Sequence, residues 1–225
     1  MKKIKHALIM AAGRGVRMMP LTADIPKAMA PYLGSTLIVE GIRKIKSHID
    51  YVHITVGYKG ATLAEHVIEQ EVSSVFNTNG RGNAWWLYNT LMKHVNEPVI
   101  VLTCDNVVEF EFDLLTEEYF NFNKPACMVV PVEPVRGLAG DYIFHKDNIV
   151  TRLDRNTPSD CYCSGIQIVN PYRINQITNE TEDFYNVWEQ LIKQNEVYCS
   201  NLRPHKWFAV DTLELLERIN KPFSD

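Results

Sequence analysis

Three basic and two acidic residues stand where they could do chemistry on phosphates. Arg14, Arg17 and Lys27 fall within one stretch, Leu8 to Lys27, reading LIMAAGRGVRMMPLTADIPK. There an apolar run, Ala7 to Met10, breaks at Ala11-Ala12-Gly13-Arg14-Gly15. A buried strand ending in a glycine-containing loop lets backbone N–H groups approach a ligand closely, because glycine carries no side chain and tolerates φ > 0. Such N–H groups favour anions, and flanking cations reinforce that preference. Arg17 and Lys27 are the candidates to hold phosphate oxygens, Arg by its planar fork and Lys as a compact point charge. The stretch lacks the third glycine and immediate helix of the dinucleotide fingerprint, and it lacks the Gly-Lys-Ser/Thr of a Walker A loop. Pro20 and Pro26 oppose a helix directly after the glycines. A long, rigid, cationic loop is expected.

The two acids follow apolar strands. Pro98 to Thr103 runs into Cys104-Asp105-Asn106, and Trp207 to Val210 runs into Asp211-Thr212. A carboxylate at the end of a buried strand is costly to desolvate and is explained by a cation. Each acid also suits a purely local role. Asp105 could close an Asx turn, and Asp211 could be a helix N-cap.

The pattern Ala11-Ala12-Gly13-Arg14-Gly15-Val16-Arg17, Pro20-Leu21-Thr22 and Pro26-Lys27 resembles the signature of the nucleoside-diphosphate-sugar pyrophosphorylases, the sugar-1-phosphate nucleotidyltransferases. The resemblance implies a Rossmann-like, three-layer α/β/α fold around a predominantly parallel mixed sheet. It implies catalytic roles for Arg17 and Lys27, and a nucleotide cradle at Ala11, Ala12, Gly13, Arg14 and Gly15. It implies Mg²⁺ on Asp105 and Asp211, with Asp105 also close to the acceptor. Relatives read the base with a Gln and, five residues on, a Gly. Asn77 and Gly82 keep that spacing with Asn in place of Gln, and Asn83 follows; the shorter arm leaves the base open.

The acceptor is less defined. Many members carry Glu-Lys-Pro after a middle strand, and Val150 to Arg155 lacks it. Arg155 or Arg152 is the candidate substitute, with a solvated charge as the alternative. Ser164-Gly165-Ile166 resembles the strand that lines the sugar pocket. The small size also resembles the branch that includes the CTP:phosphocholine cytidylyltransferases. Trp85, Trp86, Tyr185 and Trp188 are candidates for a cation cage, with core packing the competing role for Trp188. The implied activity transfers a nucleoside monophosphate from a triphosphate to a small phosphorylated substrate, sugar 1-phosphate being favoured over phosphocholine. A catalytically silent nucleotide-sensing subunit is the reading from another class. It would be expected to lose Arg17, Lys27 or one of the aspartates, and all four are present.

Bulk properties agree with such a role. The 225 residues fit one domain, with 1–110 as the nucleotide-binding half and 111–225 as the acceptor-binding half. A net charge of −4 leaves no basic footprint for nucleic acid. No apolar run approaches the roughly 20 residues that span a bilayer. Met-Lys-Lys-Ile-Lys-His reads as a strand entry rather than a signal peptide. Five cysteines with no metal-like spacing beyond Cys161-Tyr162-Cys163 suit a reducing cytoplasm. A homo-oligomer is compatible with all of this.

The elements that must position these residues follow from periodicity. Ser35-Thr36 caps a helix reaching about His48, and Tyr51 to Val56 is a β-branched strand. Ala61 to Gln70 is a helix, Val72 to Phe76 a strand, Ala84 to His94 a helix, and Pro98 to Thr103 a strand. This alternation implies a parallel sheet with helices on both faces, with ligands beyond the carboxyl ends of its strands. The second half reads as strands at 126–132, 142–145, 149–153 and 165–169, partly extending the sheet and partly covering the site. A helix at 181–194, strands at 196–200 and 207–210, and a helix at 212–220 complete the chain.

Overall fold

A computed structural model describes residues 2–135 and 140–221. In chain order the elements are β1 (His6–Met10), α1 (Leu21–Asp24), β2 (Pro31–Tyr32), β3 (Ser35–Thr36), α2 (Leu37–Lys46), β4 (Tyr51–Val56), α3 (Gly60–Ile68), β5 (Ser74–Asn77), α4 (Trp85–Asn89), β6 (Val99–Thr103) and β7 (Asn106–Glu109). They continue with α5 (Phe112–Asn121), β8 (Cys127–Val132), β9 (Tyr142–Lys146), β10 (Ile149–Asp154), β11 (Tyr162–Val169), α6 (Pro171–Ile177), α7 (Phe184–Ile192), β12 (Val197–Cys199), β13 (Lys206–Ala209) and α8 (Leu213–Asn220).

Among the described residues the main sheet has nine strands, in the order β5-β4-β1-β6-β11-β8-β12-β10-β9. β5, β4, β1 and β6 are parallel, β11 and β10 run against their neighbours, and β12 rejoins β8 in parallel. The sheet is therefore mixed and largely parallel, as expected. Alternation along β1 sends Ala7 and Ile9 to one face, with Ile38 and Ile42 of α2, Leu63 of α3 and Leu115 of α5. It sends Leu8 to the other, with Leu87 of α4, Ile174 of α6 and Val187 of α7. Two cores on one sheet make the three layers. From β1 the chain crosses to β4 and β5 on one side and returns to β6 on the other. The crevice between the carboxyl ends of β1 and β6 is thus a topological switch point, where such sheets hold ligands.

Several elements differ from expectation. The stretch 84–94 is α4 followed by a separate 3-10 turn, Leu91–His94. Thr90 breaks it: its backbone is extended (φ −116, ψ 175), and its hydroxyl accepts from Met92 N at 3.2 Å. The helix expected from 181 starts at Phe184, capped by the Asp183 carboxylate on Asn186 N. Helices α5 and α6 and the strand β7 are additions to the expected elements. Pro20 and Pro26 do exclude a continuous helix, but one turn, α1, fits between them. No helix among the described residues is long and apolar enough to cross a membrane.

Two histidines pair on neighbouring strands. His6 Nδ1 lies 3.0 Å from His53 Nε2, and His53 Nδ1 lies 2.7 Å from Ser74 Oγ. Burial, and then the charge of His6, pull the His53 pKa from 6.5 down to about 4. The unfolded chain therefore takes up this proton first. The stabilisation from neutral His53 is complete above about pH 6.5 and is lost as pH falls toward 4. Thermal melts of wild type and His53→Asn between pH 7 and 5 should show the flatter pH dependence in the variant.

Candidate active site

The loop after β1 is shaped by its own short contacts. Gly15 has φ 65, and a Cβ there would lie 2.7 Å from Lys27 Cβ, so glycine is required both by conformation and by space. The Gly15 carbonyl accepts from Met18 N (2.9 Å) and from the Thr22 hydroxyl (2.9 Å). Thr22 is buried, and its own carbonyl accepts from Tyr58 OH at 3.0 Å. Met18 is fully buried with Ala30, Tyr32, Val107, Val210 and Leu216. The Pro-Leu-Thr segment therefore holds the loop closed, while the loop's exposed side presents its backbone. Among the described residues the N–H groups of Ala12, Gly13, Arg14 and Gly15 have no partner. The Ala11 N–H differs, since it is bound to Thr55 O (3.1 Å) and Thr55 Oγ1 (3.2 Å). Ala11 serves the loop's anchor and does not offer its amide to a cradle.

The two aspartates meet through a small ribbon. β7 and β13 pair antiparallel, with Asn106 opposite Ala209. The residues just before β7 and just beyond β13 are thereby neighbours, and Val210 N donates to Asp105 O at 2.8 Å. Both carboxylates reach Lys27 Nζ, Asp105 at 2.5 Å and Asp211 at 2.6 Å. Arg17 reaches the other oxygen of Asp211 at 2.9 Å. Lys27 is 8% exposed, whereas the Arg17 side chain is 64% exposed. Neither local role for the acids holds: the Asp105 carboxylate goes to Lys27, and Thr212 is the N-cap of α8, accepting from Leu215 N at 3.2 Å.

Charge balance accounts for the titration behaviour. Burial alone would lower the Lys27 pKa, but the charges and hydrogen bonds of Asp105 and Asp211 outweigh it and raise it. Burial alone would raise Asp211, but Lys27 and then Arg17 outweigh it and hold the carboxyl below its ordinary value.

Several of the remaining candidates line two cavities. One, of about 210 Å³, lies between the β1 loop and the β5–α4 connection, lined by Ala12, Gly13, Gly80, Arg81, Gly82 and Trp86 among others. Asn77 does not line it. Its side chain accepts from Asn79 N at 3.0 Å in a local turn and borders a different depression, beside Tyr58 and Lys59. Gly82 and Asn83 line the cavity but use polar atoms elsewhere: Gly82 N donates to Glu182 Oε2 (2.7 Å), and Asn83 Oδ1 accepts from Phe184 N (2.8 Å). Arg14 lies over the Tyr58 ring at 5.3 Å.

The second cavity, of about 650 Å³, contains Asn83, Arg155, Tyr185 and Trp188 together with Asp141, Asp154 and Asp183. Arg155 donates to Asp141 at 2.9 Å and covers the Tyr185 ring at 5.4 Å. Trp188 stacks on Phe184 and donates to Gln167 Oε1 at 2.9 Å. Trp86 is core, and Trp85 lies under Arg81, so the four aromatics do not surround one point. Gly165 (φ 83) sits at a bulge of β11, against the Asn106 amide that donates to Ser164 O. Burial, and then the charge of Asp141, push the Tyr162 phenol up to about 12.

Sequence reasoning missed Asp141, Asp154 and Asp183 in this cavity, and Glu182 beside it. Only Asp183 had a local signal, as a helix N-cap before an apolar periodic stretch.

The Nucleotidyl transferase family model matches residues 6–216. The chain belongs to this family. It is 22% identical over 210 residues to the mannose-1-phosphate guanylyltransferase catalytic subunit beta of Drosophila melanogaster, covering 88% of this chain and 57% of that protein. It is 25% identical to mannose-1-phosphate guanyltransferase beta-A of Xenopus laevis, covering 88% and 59%. The chain thus spans under two thirds of the length of these relatives. A putative glucose-1-phosphate thymidylyltransferase from Bacillus anthracis superposes with TM-score 0.81 at 17% identity, covering 96% of this chain and 94% of that one. The CTP:phosphocholine cytidylyltransferase from Streptococcus pneumoniae superposes with TM-score 0.72 at 22% identity, covering 96% and 98%. These likenesses show the fold.

Gly15→Ala should cost about 1–3 kcal/mol from its left-handed backbone alone, and more once Lys27 is displaced. Gly13→Ala meets nothing within 4 Å and should melt near wild type. Thermal melts of both variants check the assignment of Gly15 as the loop's fixed point.

Proposed function

We propose that this chain transfers a nucleoside monophosphate from a nucleoside triphosphate to a sugar 1-phosphate, releasing pyrophosphate and forming a nucleotide sugar. The observation that carries this reading is the convergence of Lys27, Asp105, Asp211 and Arg17 at the carboxyl edge of β1 and β6, beside a loop with free backbone N–H groups. The attacking phosphomonoester is already an anion at neutral pH, so no general base is required. The task is to bring two anions together in line and neutralise them. The amides of Ala12 to Gly15 and the exposed Arg17 hold the β- and γ-phosphates. Lys27, kept charged by its raised pKa, holds the α-phosphate.

The residues present fit a Mg²⁺ ion. Two carboxylates already converge on a single cationic point, here the Lys27 ammonium. Mg²⁺ takes one or two carboxylates, waters and substrate phosphates, so two protein ligands suffice. Among the described residues no cluster of three or more His, Cys, Asp or Glu side chains forms a closed protein cage. Asp105 and Asp211 would hold the ion, which would supply positive charge to the substrate phosphates beside that of Lys27.

The larger cavity is the acceptor side of this reading, with Arg155 as the cation for the acceptor phosphate. Named relatives that act on mannose 1-phosphate and glucose 1-phosphate support a sugar phosphate. Without an aromatic cage around one point, Trp85, Trp86, Tyr185 and Trp188 give no support to a quaternary amine.

Pyrophosphate release should be measured with Mg²⁺ for ATP, CTP, GTP, UTP and dTTP against glucose 1-phosphate, mannose 1-phosphate and phosphocholine. Turnover is expected with a sugar phosphate; tight triphosphate binding without any turnover would instead support a sensor. Lys27→Ala and Asp105→Ala should each lower turnover by about 10²–10³-fold while the far-UV spectrum is retained. Near-normal pyrophosphate release by Asp105→Ala would overturn its assignment.

A further inference from the structure

The two cavities share a wall, and that wall is fastened across the chain. We propose that the contact between residues 81–84 and residues 182–184 is a latch that couples the two substrate sites, with Glu182 as its positioning residue. The proposal rests on the nucleotidyltransferase reading and adds to it a route by which filling one site favours filling the other.

Three hydrogen bonds make the latch. Gly82 N donates to the Glu182 carboxylate at 2.7 Å, Ala84 N donates to the Glu182 carbonyl at 3.0 Å, and Phe184 N donates to Asn83 Oδ1 at 2.8 Å. The approach is so close that a Cβ at position 82 would overlap the Glu182 carbonyl oxygen, which explains glycine there independently of any ligand. Arg81 adds a loose ion pair to Glu182 at 3.8 Å, exposed and weak. The bond from Gly82 N to a carboxylate is charge-assisted and is the strongest of the set. The same strap continues along α4: Glu180 accepts from Asn89 Nδ2 at 2.7 Å, and the hydroxyls of Thr178 and Tyr88 meet at 2.9 Å.

Position gives the latch its consequence. Gly80, Arg81, Gly82 and Asn83 line the cavity beside the phosphate loop, while Asn83, Asp183, Phe184, Tyr185 and Trp188 line the acceptor cavity. Asn83 belongs to both. These bonds hold 81–84 and the first turn of α7, which carries the acceptor side chains, as one unit, so a shift of either segment on binding is passed to the other. The coupling runs through contiguous hydrogen bonds rather than distance alone. A ligand that favours the shared arrangement at one site thereby favours it at the other, which is positive cooperativity. Such couplings are typically about 5–150-fold in affinity.

The test uses the full chain and its most active pair of triphosphate and phosphomonoester. The KM of each substrate is measured at low and saturating levels of the other. Wild type should show a mutual decrease of about 5-fold or more. Glu182→Ala should abolish that dependence. Glu182→Gln keeps an oxygen for Gly82 N and should restore part of it, an outcome a merely structural side chain would not produce. Asn83→Ala, which cuts the Phe184 bond and leaves both Glu182 bonds in place, should lower the coupling partially. It and Glu182→Gln carry the test if Glu182→Ala does not fold. A wild-type enzyme that turns over with independent KM values, or variants with unchanged coupling, would overturn the latch and leave the nucleotidyltransferase reading standing. No turnover with any pair would remove both.

Discussion

One buried ammonium organises the catalytic edge of this molecule. Asp105 and Asp211 come from chain positions over a hundred residues apart, and two carboxylates placed this close repel unless a cation stands between them. Lys27 supplies it at 2.5 and 2.6 Å. Lys27 is in turn placed by a loop that needs glycine at position 15 and a buried threonine at 22. The three-way contact thus ties the β1 loop, the end of β6 and the segment after β13 into one unit. A buried cation of this kind is tolerated because each carboxylate it touches also gains from the contact.

The arrangement doubles as a preorganised anion site. Lys27 stays charged despite burial, Asp211 stays ionised despite burial, and the neighbouring loop leaves four backbone donors unspent. Electrostatic stabilisation by groups already in position is usually the largest catalytic term, because nothing must reorganise as charge moves. The exposed Arg17 is the exception. Its single contact to Asp211 lies at the surface, and a long, solvated side chain there can turn toward a phosphate at little cost.

Parts of the fold are legible in short patterns. The β-branched run at 51–56 and the apolar run at 98–103 form central strands, and the stripe through Ile38, Ile42 and Ile45 forms the buried face of α2. Helix α5 escapes such a reading although Phe112, Leu115, Thr116 and Tyr119 follow helical spacing, because acidic and aromatic residues flank them without a capping residue. The helix expected across 84–94 fails at Thr90, where a side-chain hydroxyl competes for backbone hydrogen bonds. Asp211 suits a helix cap by local pattern, and the adjacent Thr212 fills that role in the fold.

By itself the sequence determined the family signature and the location of the phosphate-binding chemistry. Glycines, prolines and cations at fixed local spacing specify a loop, and a loop after a buried strand can only lie at the carboxyl edge of the sheet. Tertiary structure alone decided which candidates share a space. Asn77 turned into its own turn, Gly82 and Asn83 were claimed by the 182–184 segment, and Arg155 and Trp188 were gathered with three aspartates, of which local pattern announces only Asp183. The physical reason is range. Backbone conformation is set by neighbours within a few residues, whereas a side chain's partner is chosen by strand pairing such as β7 with β13, whose register depends on contacts a hundred residues away.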